Sequence, residues 1–438
     1  MIAVPMPPLQ DVQHKCASRL IEVLLMPLSL LLRAPSLLFL LALTAMLLRH
    51  PDVQFYEIDR IAFALLAIGV IGGLLVRHER PFVHRATRPM LALSAIAIAS
   101  VVGRPFDHET WSLLASKFLV PFVLFHFAAI VFRDEKEQKR FEIFAIVILG
   151  YLSFTAIAFL IGANSLIFPR FILDESLGFH VDRARGPLLQ AVANGVSLNI
   201  LGLLAVHAYR RGRFRNLWIT ILLFSLPFAI LATMTRTVWL TFTGTLVALT
   251  MLSQNRHWRA WAGLIVVAAI ICVGIFVASP HELSEALADR MEERGPVDFR
   301  EAVYAGGWEM FWEHPLVGWG FHRMPAELPK YVSGYEEKII YPHNTYLELL
   351  VEHGVLGLAV YVWLMWELLR LRYGAVAGDD ESSFLDRGFH RIWPLILLVY
   401  WVNAALVVMS YQFVNGLLFT LAGMLAGQQR HTALEHLC

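Results

Sequence analysis

The amino-acid sequence predicts an all-α polytopic membrane protein with about 12 transmembrane helices and one large helical loop on the external side. Three observations support this fold class. The 438 residues are 57% hydrophobic and only 16% charged, with a mean hydropathy of +0.59, which is too apolar for a soluble multidomain protein. Long apolar runs recur along the whole chain. Basic residues concentrate in alternate loops between these runs.

Twelve apolar runs are close to the ~20 residues that a helix needs to cross a bilayer. They cover residues 20–48, 58–76, 87–102, 111–132, 141–162, 187–208, 216–234, 237–253, 260–278, 345–369, 392–409 and 411–427. The first run contains Pro27, Arg33 and Pro35, so it could form two crossings instead of one. Two crossings would give thirteen spans and an external N-terminus.

The loops after the second, fourth, sixth, eighth and tenth runs are rich in lysine and arginine. Their basic residues are Arg77, Arg80, Arg85, Arg88, Arg133, Lys136, Lys139, Arg140, Arg210, Arg211, Arg213, Arg215, Arg256, Arg259, Arg370, Arg372, Arg387 and Arg391. The positive-inside rule places these loops, and with them both termini, in the cytoplasm. The external side then receives residues 49–57, 103–110, 163–186, 235–237, 279–344 and the turn near 410.

This topology divides the chain into three parts. Residues 1–278 carry the first nine membrane helices, and 345–438 carry the last three. Residues 279–344 form the external loop, in which 283–294 and 300–313 have the pattern of amphipathic helices. GxxxG pairs such as Gly423 and Gly427 occur only at the background frequency of membrane helices.

The sequence lacks the residue patterns that several classes of enzyme and metal-binding protein require. Cys16, Cys272 and Cys438 lie far apart in the sequence, which argues against a disulfide framework or a structural metal site. The chain has no nucleotide-binding loop, no HExxH, no GxSxG and no Asp-x-Asp pair. We therefore expect no metal ion and no cofactor.

Arginines on the external side break the charge rule and need a reason. Arg236 is the only charged residue between Leu217 and Ser253, at the tip of a tight helical hairpin. Such residues usually mark a polar pathway or a ligand site, although a side chain reaching lipid phosphates is the simpler alternative. Arg183 and Arg185 precede a helix start where an anion could bind. For Arg183 alone, a charged loop end explains the sequence, whereas Arg185 favours a functional role.

Arg300 opens the 300–313 helix and could simply pair with Asp298. His343 is a stronger candidate. Thr345 and Glu348 fit a capping box, so a helix should begin at about residue 345 with His343 just outside it. The positive end of a helix disfavours protonation of imidazole, although a lone histidine is more often just hydrogen-bonded in a loop.

Four elements of this sequence occur in a familiar order. They are Arg185-Gly186-Pro187 with Asn194, then Thr235-Arg236-Thr237 with Trp239, then Arg300, Trp308 and Phe311 followed by HPLVGWGF at 314–321, and finally PHNTYLE at 342–348 with Gly354 and Gly357. This pattern resembles the O-antigen ligase family, within a superfamily that also contains O-antigen polymerases. The resemblance covers residues 185 to about 370, with Thr235 where many members have serine.

The resemblance implies a GT-C-like enzyme that acts outside the bacterial inner (cytoplasmic) membrane. It would transfer a glycan from undecaprenyl diphosphate onto a sugar hydroxyl of lipid A-core and so complete lipopolysaccharide, without a metal ion and with inversion. The expected partners are these two lipid-linked substrates and the surrounding membrane lipids, with no nucleic acid.

The resemblance also assigns roles to residues. His343 would be the general base, while Arg236 and Arg300 act in catalysis and, with Arg185, bind the diphosphate. Supporting roles fall to Asn194, Asn344 and Glu348.

Two alternatives remain open at this point. An O-antigen polymerase would use the same chemistry but take a lipid-diphosphate glycan as both donor and acceptor. A transporter or flippase belongs to a different class, and it would usually carry ionisable residues in the middle of its spans and two matching halves. The charges here collect at the external ends of the spans, which favours the enzyme.

Overall fold

The computed structural model describes residues 34–50, 58–178, 181–212, 217–252, 295–333, 339–373 and 383–435, with residues 263, 267 and 271 between them. Over these residues, every regular element is a helix, as the sequence predicted. The predicted helix at 283–294, most of the ninth span and the first part of the first span lie outside the described residues.

Outside residues 279–344, each described helix overlaps one predicted apolar run, although the last helix continues past residue 427 to Glu435. In chain order they are α1 (Pro35–Leu47), α2 (Ile58–Val76), α3 (Thr87–Val101), α4 (His108–Val131), α5 (Glu135–Leu160), α6 (Ala191–Arg210), α7 (Leu217–Ala232), α8 (Arg236–Leu252), α9 (Gly295–Glu313), α10 (Met324–Glu327), α11 (Thr345–Arg370), α12 (Arg387–Ala404) and α13 (Gln412–Glu435). Helix α9 contains the predicted amphipathic segment 300–313.

Five described helices, namely α2, α4, α5, α6 and α11, are long and apolar enough to cross a membrane. Helices α1, α3 and α7 are also apolar but shorter. The protein is therefore polytopic, while the count of twelve spans, the three-part division and the GT-C-like architecture stay predictions.

Helix α13 packs along α4 over its length. Gly423 and Gly427 are the reason for this close approach, because a Cβ on Gly427 would stand 2.7 Å from the carbonyl oxygen of Ala129, and one on Gly423 would overlap the carbonyl of Phe125. The interpretation of this GxxxG pair as background was wrong: it joins two helices of the same chain.

Segments that the charge pattern assigned to the cytoplasm lie together at one end of the helices. Arg133 after α4 pairs with Glu79 after α2 at 2.9 Å. Arg210 at the end of α6 pairs with Asp386, which caps the start of α12 through the N–H of Phe389. These described loops therefore meet in pairs, while the loop after the eighth run lies outside the described residues.

Helix α11 is interrupted at Gly354, which has φ 65° and ψ −169°. The backbone of residues 314–320 lies against this break. The N–H groups of Trp319 and Gly320 donate to the carbonyls of Val351 and Glu352, at 2.9 and 2.7 Å. On the far side of the break, the N–H of Val355 donates to Pro315. The two most specific sequence elements thus form one backbone-paired unit.

Candidate active site

One cavity of about 1580 Å³ lies at the end of the helix bundle opposite the basic loops. All six segments that the charge pattern assigned to the external side contribute to its walls. Among its lining residues are Arg49, His108, Asp182, Arg183, Thr235, Arg236, Arg300, His343 and Ser410. Residues that are hundreds of positions apart therefore meet where the topology predicted a shared surface.

The cavity has a cationic wall built by two neighbouring segments. The N–H of Ala184 donates to the carbonyl of Ala232 at 2.9 Å, so the loop carrying Arg183 is tied to the turn before Arg236. Helices α6 and α8 approach closely here, because a Cβ on Gly195 would stand 2.5 Å from Val238. Arg236 is the first residue of α8, and its side chain is exposed to the cavity. An arginine at a helix N-terminus is well suited to bind an anion.

Asn194 supports this wall from inside the bundle. Its amide is fully buried and donates to the carbonyl of Ala184 at 2.8 Å. Gly186 has φ 56°, and a Cβ there would lie 2.7 Å from the Asn194 side chain. Asn194 therefore holds the loop that carries Arg183, which is a positioning role.

The structure places Arg185 and Arg183 differently from what the sequence suggested. Arg185 is only 1% exposed and does not appear in the cavity lining. Its guanidinium donates to three backbone carbonyls, those of Ile172, Asp174 and Leu177, and so holds the external loop together. Arg183 lines the cavity instead and pairs with Asp182 at 3.4 Å. The structure therefore places Arg183, and not Arg185, in the cavity wall, while the diphosphate role predicted for Arg185 stays a prediction.

Arg300 reaches the cavity from the first part of α9. The inner face of this helix is held by Val303, Gly307 and Met310, all buried, while Trp308 and Trp312 on the outer face are exposed. This packing fixes the orientation of α9 and directs its N-terminal end toward the cavity.

His343 lies next to Arg300 and just before α11. Burial lowers the pKa of His343, and the nearby positive charge of Arg300 lowers it further. The imidazole is therefore neutral at physiological pH and able to accept a proton. Its φ of 48° is uncommon for a residue other than glycine.

The cap of α11 differs by one residue from the predicted capping box. The helix begins at Thr345 as expected, but Asn344 caps it by accepting hydrogen bonds from the N–H groups of Tyr346 and Leu347, at 2.9 and 3.1 Å. The Thr345 hydroxyl donates to the carbonyl of Val407 and accepts from the N–H of Met409. The cap thus places His343, while Thr345 ties α11 to the segment after α12.

Glu348 does not complete a capping box either. Its carboxylate forms a buried ion pair with Lys117 of α4. Glu352, one turn further along α11, also lines the cavity. Lys117 was not among the predicted site residues, although a lysine inside an otherwise apolar span could have indicated it.

Backbone strain collects around this cavity. Five described residues other than glycine have positive φ, and four of them line the cavity: Leu189, Met234, His322 and His343. Residues held in this region are concentrated at functional sites because the surrounding structure must stabilise them. The arrangement supports the cavity as the working site. Within the described residues, no three His, Cys, Asp or Glu side chains are grouped to hold a metal ion.

The fold and the cavity define a helical membrane protein in which several arginines and a neutral histidine line one cavity. Residues 197–362 match the sequence profile described as O-antigen ligase. This part of the chain, which contains Arg236, Arg300 and His343, is therefore a domain of the O-antigen ligase family, as its motifs predicted. A search of curated proteins found no match. Family membership indicates an enzyme whose substrates are lipid-linked glycans.

Proposed function

We propose that this protein is an O-antigen ligase of the bacterial inner membrane. It transfers a glycan from undecaprenyl diphosphate to a hydroxyl of lipid A-core on the periplasmic side, in one inverting step that needs no metal ion. The observation that carries the proposal is the single cavity shared by Arg183, Arg236, Arg300 and His343. Its volume exceeds that of ordinary small-molecule pockets, which suits a lipid-linked glycan.

The arginines supply the electrophilic half of the reaction. Breaking the bond between the anomeric carbon and the diphosphate oxygen leaves an additional negative charge on the diphosphate. Guanidinium groups match phosphate oxygens in geometry and stabilise this charge as it develops. Arg236 and Arg300 fill this role in catalysis, and Arg183 takes the binding role that the sequence suggested for Arg185.

His343 supplies the other half. The neutral imidazole removes the proton from the acceptor hydroxyl as its oxygen forms a bond to the anomeric carbon. The electron pair of the broken bond leaves with the diphosphate, so no general acid is required. A single displacement of this kind inverts the configuration at the anomeric carbon.

The test uses purified protein in nanodiscs with undecaprenyl-diphosphate glycan and lipid A-core, with chelator and without nucleotide. Wild type should transfer glycan to lipid A-core, while His343→Ala and Arg236→Ala should lose at least about 100-fold in rate. His78→Ala is a matched control, since His78 also has positive φ but lies in a cytoplasmic-side turn.

Three other outcomes would contradict part or all of the proposed function. Longer glycan that remains on undecaprenyl diphosphate would identify a polymerase and reject the ligase. Product that forms only when a divalent cation is restored would reject the metal-free mechanism. No product with any donor and acceptor would reject glycan transfer altogether.

A further inference from the structure

The cavity has a second polar wall, formed by α4 and α11. Ser112, Ser116 and Lys117 lie on one face of α4 and line the cavity. A π-helical turn at Ala115–Leu119 interrupts α4 at this point. Such turns insert one residue into a helix, redirect its side chains and occur frequently at functional sites.

The deepest part of this wall is a cluster of three ionisable side chains: Lys117, Glu348 and Glu352. Each of them is more than 90% buried, and the Lys117 ammonium pairs with Glu348. Glu352 is 1% exposed, and its Oε1 accepts no hydrogen bond from the residues that the structure describes. Glu352 is also a lining residue of the cavity, so this buried oxygen belongs to a side chain that borders a space where a ligand can lie.

The chemistry of the Lys117, Glu348 and Glu352 side chains indicates which class of ligand they can bind. Two carboxyl groups share one ammonium, so this wall has no excess positive charge and, unlike the arginines, offers a diphosphate no free cation. Leaving a buried carboxylate oxygen without a partner costs free energy. A sugar hydroxyl removes that cost, because it donates a strong hydrogen bond to a carboxylate.

We propose that Lys117, Glu348 and Glu352 form the subsite for the acceptor sugar, with Oε1 of Glu352 accepting a hydrogen bond from one of its hydroxyl groups. This inference rests on the proposed function, since it assumes a sugar acceptor. The ligand class is a neutral, hydroxyl-rich sugar.

The geometry of the reaction favours the acceptor over the donor. An inverting displacement brings the acceptor oxygen to the face of the anomeric carbon opposite the diphosphate. The arginines that bind the diphosphate lie on the loop before α6, on α8 and on α9. The cluster lies on α4 and α11, and α11 begins directly after His343, the residue that takes the acceptor proton. A sugar held by Glu352 can therefore present its hydroxyl to His343.

The experiment measures binding of each substrate separately, so that it does not depend on turnover. Wild type, Glu352→Gln and Ser116→Ala are reconstituted in nanodiscs and titrated with lipid A-core alone and with undecaprenyl-diphosphate glycan alone. Glu352→Gln should weaken binding of lipid A-core by about tenfold and leave binding of the donor within about twofold. Ser116→Ala should weaken acceptor binding less. Glu309→Gln, an exposed residue of α9, is the control.

The outcomes separate this subsite from the proposed function. Equal affinities of Glu352→Gln and wild type for lipid A-core would overturn the subsite. A Glu352→Gln protein that binds both substrates more weakly would also overturn it. So would one whose melting temperature falls while its affinities stay unchanged. Failure of wild type to bind lipid A-core would also overturn it. If the predicted binding pattern appears but no glycan is transferred, the ligase function fails and the subsite stands.

Discussion

Gly354 interrupts helix α11 where the backbone of Leu316 lies against it. The Leu316 carbonyl accepts a hydrogen bond from the N–H of Leu356 at 3.3 Å, and a Cβ on Gly354 would stand 2.6 Å from the backbone nitrogen of Val317. The segment at 314–320 and the helix that follows His343 are thus interlocked through their backbones. This contact explains the glycines in both sequence elements, because a Cβ on Gly318 or on Gly354 would overlap the facing backbone.

Gly354→Ala should therefore disrupt the site. The new methyl group would overlap the backbone of residues 316 and 317, and alanine is also strained at φ 65°. We expect a loss of about 2 kcal/mol or more in stability and a large loss of transfer activity. Thermal unfolding in detergent measures the first effect. Gly73→Ala is the control, because a Cβ on Gly73 meets nothing within 4 Å. Equal melting temperatures for the two variants would contradict the interlocking.

Arg183 and Arg185 should differ in what their removal changes. Arg183→Ala should raise the KM for the lipid-diphosphate donor by about tenfold and lower the melting temperature less than Arg185→Ala does, because Arg183 lines the cavity. Arg185→Ala should lower the melting temperature by several degrees, because three backbone carbonyls lose their donor. The measurement combines steady-state kinetics with thermal unfolding. A stable Arg185→Ala protein with a raised donor KM would return the diphosphate role to Arg185.

The sequence predicted the helices well because the hydrophobic pattern is local. Helices α2 and α8 begin within one residue of the apolar runs at 58 and 237. The alternation of lysine and arginine also predicted which loops share a side of the membrane, and the described external segments do meet at one cavity, while the orientation itself stays a prediction.

The site was only partly predictable because its decisive contacts are tertiary. Arg183 and Arg185 are separated by one residue. No local sequence pattern shows which of the two arginines lines the cavity, because contacts with Asn194 and with the external loop decide it. The cap of α11 shows the same limit: Thr345 matches a capping motif, yet its hydroxyl bonds to residues near 407 that a local pattern does not include.

Thr345 should matter for holding α11 against the segment after α12. Thr345→Val keeps the shape of the side chain but leaves the carbonyl of Val407 and the N–H of Met409 without their partner. We expect a loss of about 1–3 kcal/mol in stability. Thr345→Ser retains the hydroxyl and should recover most of it. Equal stability of the valine and serine variants would show that these two hydrogen bonds contribute little.

The pH dependence of transfer should report the environment of His343. Burial and the charge of Arg300 both lower the pKa of this histidine from its ordinary value of 6.5, so the neutral base persists to lower pH. The acidic limb of the kcat/KM profile should therefore lie below pH 6.5. Removing the positive charge in Arg300→Gln raises the pKa of His343, and the limb of the residual activity should move to higher pH. Arg300→Lys keeps the charge and serves as the control. A limb that moves to lower pH in Arg300→Gln, or that does not move at all, would show that the titrating base is not His343.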